Sequence, residues 1–216
     1  MNFIFEQIRA GGDRNFAYLI GDRAAGLAAV VDPASEPERS LERARVQGLT
    51  ITHILNTHGH LDHTEGNLEL KRATGAKIHA GAGSPARPDQ ILEDGDVINV
   101  GAFGLKVLHV PGHTPDHLLF HLEEQRIAIT GDLLFVGKIG GTGNDRDART
   151  EHESLGRLLR ELPDDTTIWP GHDYGCRPSS TLALEKACNP FLLKDLPSFL
   201  QLKRDWAVFK AENGLA

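Results

Sequence analysis

The chain has 216 residues, enough for one domain with a substantial core. Its composition, 40% hydrophobic and 25% charged, is ordinary for a soluble globular protein. A net charge of -7 with no long run of Lys or Arg argues against nucleic acid as a partner, and no window approaches the roughly 18 apolar residues of a membrane helix. The apolar stretch Phe3 to Phe5 is cut by Glu6, too short for a secretory signal. The cysteines, Cys176 and Cys188, have no metal-knuckle spacing, so a cytoplasmic setting with reduced thiols is expected.

In chain order, Phe3–Ile8, Phe16–Ile20 and Leu27–Val31 read as short strands, the last ending at Asp32-Pro33. Glu36–Gln47 reads as a helix with Ser35 as N-cap and Gly48 as its stop. Ile51–Asn56 is a buried strand, Thr64–Thr74 a helix closed by Gly75, and Lys77–Ala80 a strand. Gly81–Gln90, rich in Pro and Gly, reads as a loop. Val97–Val100 and Gly104–Val110 follow as strands, and Leu118–Leu122 with Arg126–Thr130 as a hairpin. After a glycine-rich loop, Gly137–Asp147, come a helix at Glu151–Leu162, a strand at Thr166–Trp169, and helices at Ser180–Ala187 and Ser198–Glu212. Phe199, Leu202, Trp206 and Phe209 fit core packing better than a dimer face, and a homodimer is left open. Each half has several strands and then a strand–helix pair. That pattern suits one αββα domain over residues 1–216, two sheets packed face to face with helices outside and the helices of 180–212 packed on it.

Eleven histidines is a high count for this length. His58, His60, Asp62 and His63 fall within six residues at the end of the Ile51–Asn56 strand. His58 and His60 alternate into one cleft, and Asp62 and His63 stand one turn further on. Imidazole nitrogen with carboxylate oxygen suits zinc, and also iron and manganese. Three more candidates follow apolar runs and a glycine: His113 in Pro111-Gly-His-Thr, Asp132 in Thr130-Gly-Asp, and His172 in Pro170-Gly-His. Glycine there lets the backbone turn sharply and come close to an ion. His109, His113, His117 and His121 recur every four residues, but Pro111, Gly112 and Pro115 forbid a metal-binding helix. His117 is read as an outer or surface residue, and His53, His79, His109, His121 and His152 as structural or surface. Asp32 is as well suited to bracing the site by a hydrogen bond as to a plain turn.

His58-x-His60-x-Asp62-His63, then His113, Asp132 and His172, resembles the metallo-β-lactamase superfamily. Thr130-Gly-Asp-Leu-Leu-Phe135, Pro111-Gly-His-Thr-Pro115, Gly171-His-Asp-Tyr174 and Asn189-Pro-Phe191 are similar to its glyoxalase II branch and the neighbouring persulfide dioxygenases. The resemblance implies an αββα sandwich with two divalent metal ions at one edge. It implies His58, His60 and His113 on one ion, Asp62, His63 and His172 on the other, and Asp132 bridging. The ions are zinc on this reading, with iron or manganese as other occupants. In the dioxygenases a single iron uses the positions of His58, His113 and Asp132. The implied activity is hydrolysis of an acyl thioester by a metal-activated water, with Asp62 and Asp132 catalytic; the alternative is dioxygenation of a thiol persulfide. The substrate would be a small thioester or thiol derived from glutathione. Tyr174 matches a family tyrosine that contacts glutathione, and Lys138 stands near the position of a basic residue that binds its carboxylate. At that position itself this chain has Gly141, and after His63 it has Thr64-Glu65-Gly66-Asn67 where two glycines are usual.

Overall fold

The computed structural model describes residues 2–213. Two six-stranded sheets face each other. The first runs, in spatial order, β1 (Phe3–Arg9), β2 (Phe16–Asp22), β3 (Leu27–Val31), β4 (Thr50–Leu55), β5 (Lys77–Gly81) and β6 (Gln90–Leu92). The second runs β12 (Ser180–Thr181), β11 (Thr167–Pro170), β10 (Ile127–Gly131), β9 (Leu118–Leu122), β8 (Phe103–His109) and β7 (Val97–Val100). Outside the first sheet lie α1 (Pro37–Gln47) and α3 (Asn67–Thr74), and the single turn α2 (Leu61–Thr64) follows the end of β4. Against the second lie α4 (Asp145–Glu161), α5 (Leu182–Cys188) and α6 (Leu196–Asn213). This is the expected four-layer αββα sandwich.

The layers follow from the two-residue period of a strand. On β2, Phe16, Tyr18 and Ile20 point between the sheets, where they meet Val107, Phe120 and Ile129. Ala17 and Leu19 point the other way, into the layer completed by Leu70 of α3 and Ala44 of α1. On the far side, Leu119, Ala128 and Ile168 pack beneath Leu155 and Leu158 of α4 and Phe199 of α6. Full burial of one such side chain contributes about 1.5–3 kcal/mol. Central strands buried on both faces therefore fix the order of the layers.

Several expected boundaries shift. Ser35 is not the cap of α1: the cap position is Glu36, without a side-chain cap bond, and Ser35 Oγ instead donates to Ala10 O at 3.2 Å. The single helix expected over Thr64–Thr74 is two, broken near Gly66, where the backbone packs on Ala34 and Pro37. Gln90, expected in a loop, opens the edge strand β6. α4 begins six residues before Glu151, because the Asn144 side chain accepts from Arg146 N and Asp147 N and caps it there. Ser180 and Thr181 form a short strand beside β11, and Thr181 then caps α5. On α6 the expected core stripe holds only in part: Phe199 is fully buried, whereas Trp206 and Phe209 are exposed and stack on each other, ring centroids 5.5 Å apart. Among the described residues no helix is long and apolar enough to cross a membrane.

Candidate metal centre

The donors stand beyond the ends of β4, β8, β10 and β11, on loops that leave both sheets at one edge of the sandwich. Three sets of side chains converge so closely that their donor atoms lie within 4.8 Å of one another: His58, His60 and His113; His58, His63 and Asp132; and Asp62, His63 and His172. His58 Nε2 and His113 Nε2 lie 2.9 Å and 3.1 Å from His60 Nδ1. His63 Nε2 and His172 Nε2 are 3.1 Å apart, and Asp62 Oδ2 lies 3.5 Å and 3.4 Å from them. Asp132 stands between the groups, Oδ1 at 3.5 Å from His63 Nε2 and Oδ2 at 3.6 Å from His113 Nε2 and 3.3 Å from His172 Nε2. All seven residues singled out in the sequence are thus brought to one pocket.

The rings are aimed by their other nitrogens. His63 Nδ1–H donates to Asp32 Oδ2 at 3.1 Å, His113 Nδ1–H to Gly141 O at 2.7 Å, and His172 Nδ1–H to Asp13 O at 2.9 Å. The Thr57 hydroxyl gives its one proton to Asp32, so its oxygen accepts from His58 Nδ1–H at 3.1 Å. In all four, the bond made from outside occupies Nδ1 and turns Nε2 toward the pocket, where it can ligate once unprotonated. Between His63 Nε2 and His172 Nε2, 3.1 Å apart, two lone pairs repel unless a proton or a metal ion lies between them. Asp132 Oδ1 is buried and finds no hydrogen-bond partner among the described residues. The residues therefore fit a metal.

Electrostatics agree. Burial holds His58 and His113 below the ordinary imidazole pKa, in the neutral form that ligates. Burial also opposes charge on His63, yet Asp132, Asp32 and Asp62 lift it to about 9, so in this negative field a second proton occupies the ring at neutral pH, in the place a metal ion would take. Asp132 stays well below the usual carboxylate range despite its burial, because His63 and His172 stabilise its charge. Gly171 leaves the room: a Cβ there would meet Asp132 Oδ1 at 2.3 Å and His63 Cε1 at 2.8 Å.

Sequence reasoning left Asp32 undecided; here it braces Thr57 and His63. His117 is not on the surface. It is fully buried, stacks on His58 with ring centroids 5.0 Å apart, and its Nε2 accepts from Asp132 N–H at 3.1 Å. Asn15 was missed altogether, and its Nδ2 donates to Asp62 Oδ2 at 3.0 Å. Nothing in Gly11-Gly-Asp-Arg-Asn15 signals this; the loop reaches the site through the bridge between Asn15 and His172, the Asn15 bond to Asp62 and the Asp13 carbonyl. Tyr174 lies flat on His172, centroids 4.5 Å apart, and its hydroxyl donates to Asp13 Oδ2. Lys138 Nζ and Arg14 Cζ each stand 4.7 Å from the Tyr174 ring centre, so the rim beside the donors carries two cations on an aromatic face.

A sequence profile described as the metallo-beta-lactamase superfamily matches residues 10–85 and 79–172. A hydroxyacylglutathione hydrolase from Polaromonas sp. is 42% identical over 177 residues, 79% of this chain and 67% of that protein, so the chain spans about two thirds of its relative's length. The human mitochondrial persulfide dioxygenase ETHE1 is 34% identical over 190 residues, 87% of this chain and 75% of that one. The crystal structure of ETHE1 from Myxococcus xanthus superposes with a TM-score of 0.87 at 32% identity, covering 94% of this chain and 91% of that one.

Proposed function

The chain belongs to the metallo-beta-lactamase superfamily, and within it we propose a metal-dependent hydrolase that cleaves an acyl thioester. The observation that carries this reading is the pair of complete donor groups, His58/His60/His113 and Asp62/His63/His172, with Asp132 between them. His60, Asp62 and His172, aimed inward beside the three donors a single ion would use, support a site for two ions. Two bound divalent ions would lower the pKa of a water from about 15.7 toward about 7 and polarise the carbonyl.

The chain's own residues would do the rest. Asp132 would hold the two groups at a fixed separation. Asp62, at the mouth with its side chain 40% exposed and one oxygen held by Asn15, would take the proton of the attacking water. The new bond is carbon to water oxygen and the broken bond is carbon to sulfur. The thiolate leaves with a pKa near about 8.5, so no strong general acid is required. Tyr174, Lys138 and Arg14 would bind an anionic thiol carrier, for which glutathione is the natural candidate given the relatives' substrates.

A second reading, a mononuclear iron dioxygenase acting on a glutathione persulfide, is supported by the likeness to ETHE1. It would use His58, His113 and Asp132. Metal analysis with two assays separates them. Two zinc-like ions per chain with cleavage of S-lactoylglutathione supports hydrolysis. One iron with oxygen uptake on glutathione persulfide overturns it in favour of the second reading.

A further inference from the structure

Lys203 of α6 reaches toward the metal pocket without touching a donor. Its side chain is 11% exposed, and Nζ donates to Glu151 Oε2 at 2.6 Å and to Gly140 O at 2.7 Å. Glu151, on α4, is fully buried, and its Oε1 has no partner among the described residues. Burial raises this carboxyl to about 7 even though Lys203 opposes the shift. A buried pair that leaves an acceptor unmatched is poor as a stabilising device.

Both partners bear on His113. Gly112 packs so closely on Glu151 that a Cβ would meet Glu151 Cα at 2.4 Å. One turn along α4, Ser154 Oγ donates to Pro111 O at 2.6 Å. On the other side, Lys203 fixes the Gly140 carbonyl, and the next carbonyl, Gly141 O, receives the Nδ1–H of His113. The turn that carries His113 and the loop that orients its ring thus meet at one ion pair. The Asp62/His63/His172 group has separate anchors: Asn15, Asp32 and the Asp13 carbonyl.

We propose that Glu151 and Lys203 are positioning residues that couple α4 and α6 to His113 and so set the affinity of the His58/His60/His113 group for its metal ion. This rests on reading His113 as a ligand. The two donor groups should therefore respond differently to loss of the pair.

The test is zinc binding to the full chain by chelator competition, with cobalt(II) absorption as the report on ligand geometry. Lys203→Met removes the bond to Gly140. The double variant Glu151→Gln/Lys203→Met removes it without stranding a buried charge, and so guards against misfolding of the single variant. Expected is about 10- to 100-fold weaker binding of one ion, the size seen when a ligand's outer partner is removed, with the other ion unchanged and the cobalt spectrum altered. Lys203→Arg, which can still donate to Gly140 O, should restore part of the loss. Folded variants that bind both ions as the parent does overturn the proposal. Equal weakening of both ions does so too, since it marks a merely structural role. His113→Ala separates the levels: if it keeps both ions at parent affinity, the ligand reading fails and the positioning with it. If His113→Ala loses an ion while the Lys203 variants do not, the positioning alone fails.

Discussion

His63 and Asp32 hold each other in a closed pocket, Nδ1–H to Oδ2 at 3.1 Å, with each side chain 1% exposed. Asp32 sits at φ 48°, in the left-handed region, where a non-glycine residue costs about 1 kcal/mol or more. The same carboxylate takes Thr57 N–H at 2.8 Å and Thr57 Oγ1–H at 2.6 Å. Asp32→Ala leaves three donors without their acceptor. It is expected to cost about 3 kcal/mol or more in urea unfolding and about 10- to 100-fold in zinc affinity. Asp32→Asn, whose amide oxygen still accepts, should lose less. Parent-like zinc affinity in folded Asp32→Ala would remove the bracing role.

Asp132 has one oxygen toward His63 and the other toward His113 and His172. Asp132→Ala should therefore lose both ions and all activity together, whereas Asp62→Ala should lose one. Elemental analysis after dialysis reads the count. Two ions retained by Asp132→Ala would end its bridging assignment.

His117 accepts the Asp132 N–H and stacks on His58 but offers no donor to either group. His117→Ala should keep two ions per chain at saturating zinc while binding them about tenfold more weakly. Loss of an ion at saturation would make His117 a ligand and revise the donor set.

His79 on β5 is 1% exposed, its Nε2 3.0 Å from His53 Nδ1, and burial, then His53, lowers its pKa from 6.5 to about 4. Between those values the unfolded chain binds the proton that the folded chain refuses. The contribution to stability is present above pH 6.5 and is lost as pH falls toward about 4, to a total of up to about 3 kcal/mol. Denaturant midpoints at pH 7 and pH 5 should fall further apart in the parent than in His79→Gln. Equal slopes would show that His79 protonates freely in the folded state.

The sequence was legible where chemistry is local. His58, His60, Asp62 and His63 share one short turn, and a glycine precedes His113, Asp132 and His172, so residue type and spacing were enough to single out the donors. The layers were legible because the strands alternate and α4 repeats its leucines. Tertiary structure alone decided what aims the rings. Two of the acceptors are backbone carbonyls, Gly141 O and Asp13 O, and a carbonyl is the same on every residue. Asp13 lies 159 positions from His172, and Lys203 lies 52 from Glu151. Contacts at such separations leave no period or motif; they exist only because two sheets close face to face and bring their loop ends to one edge.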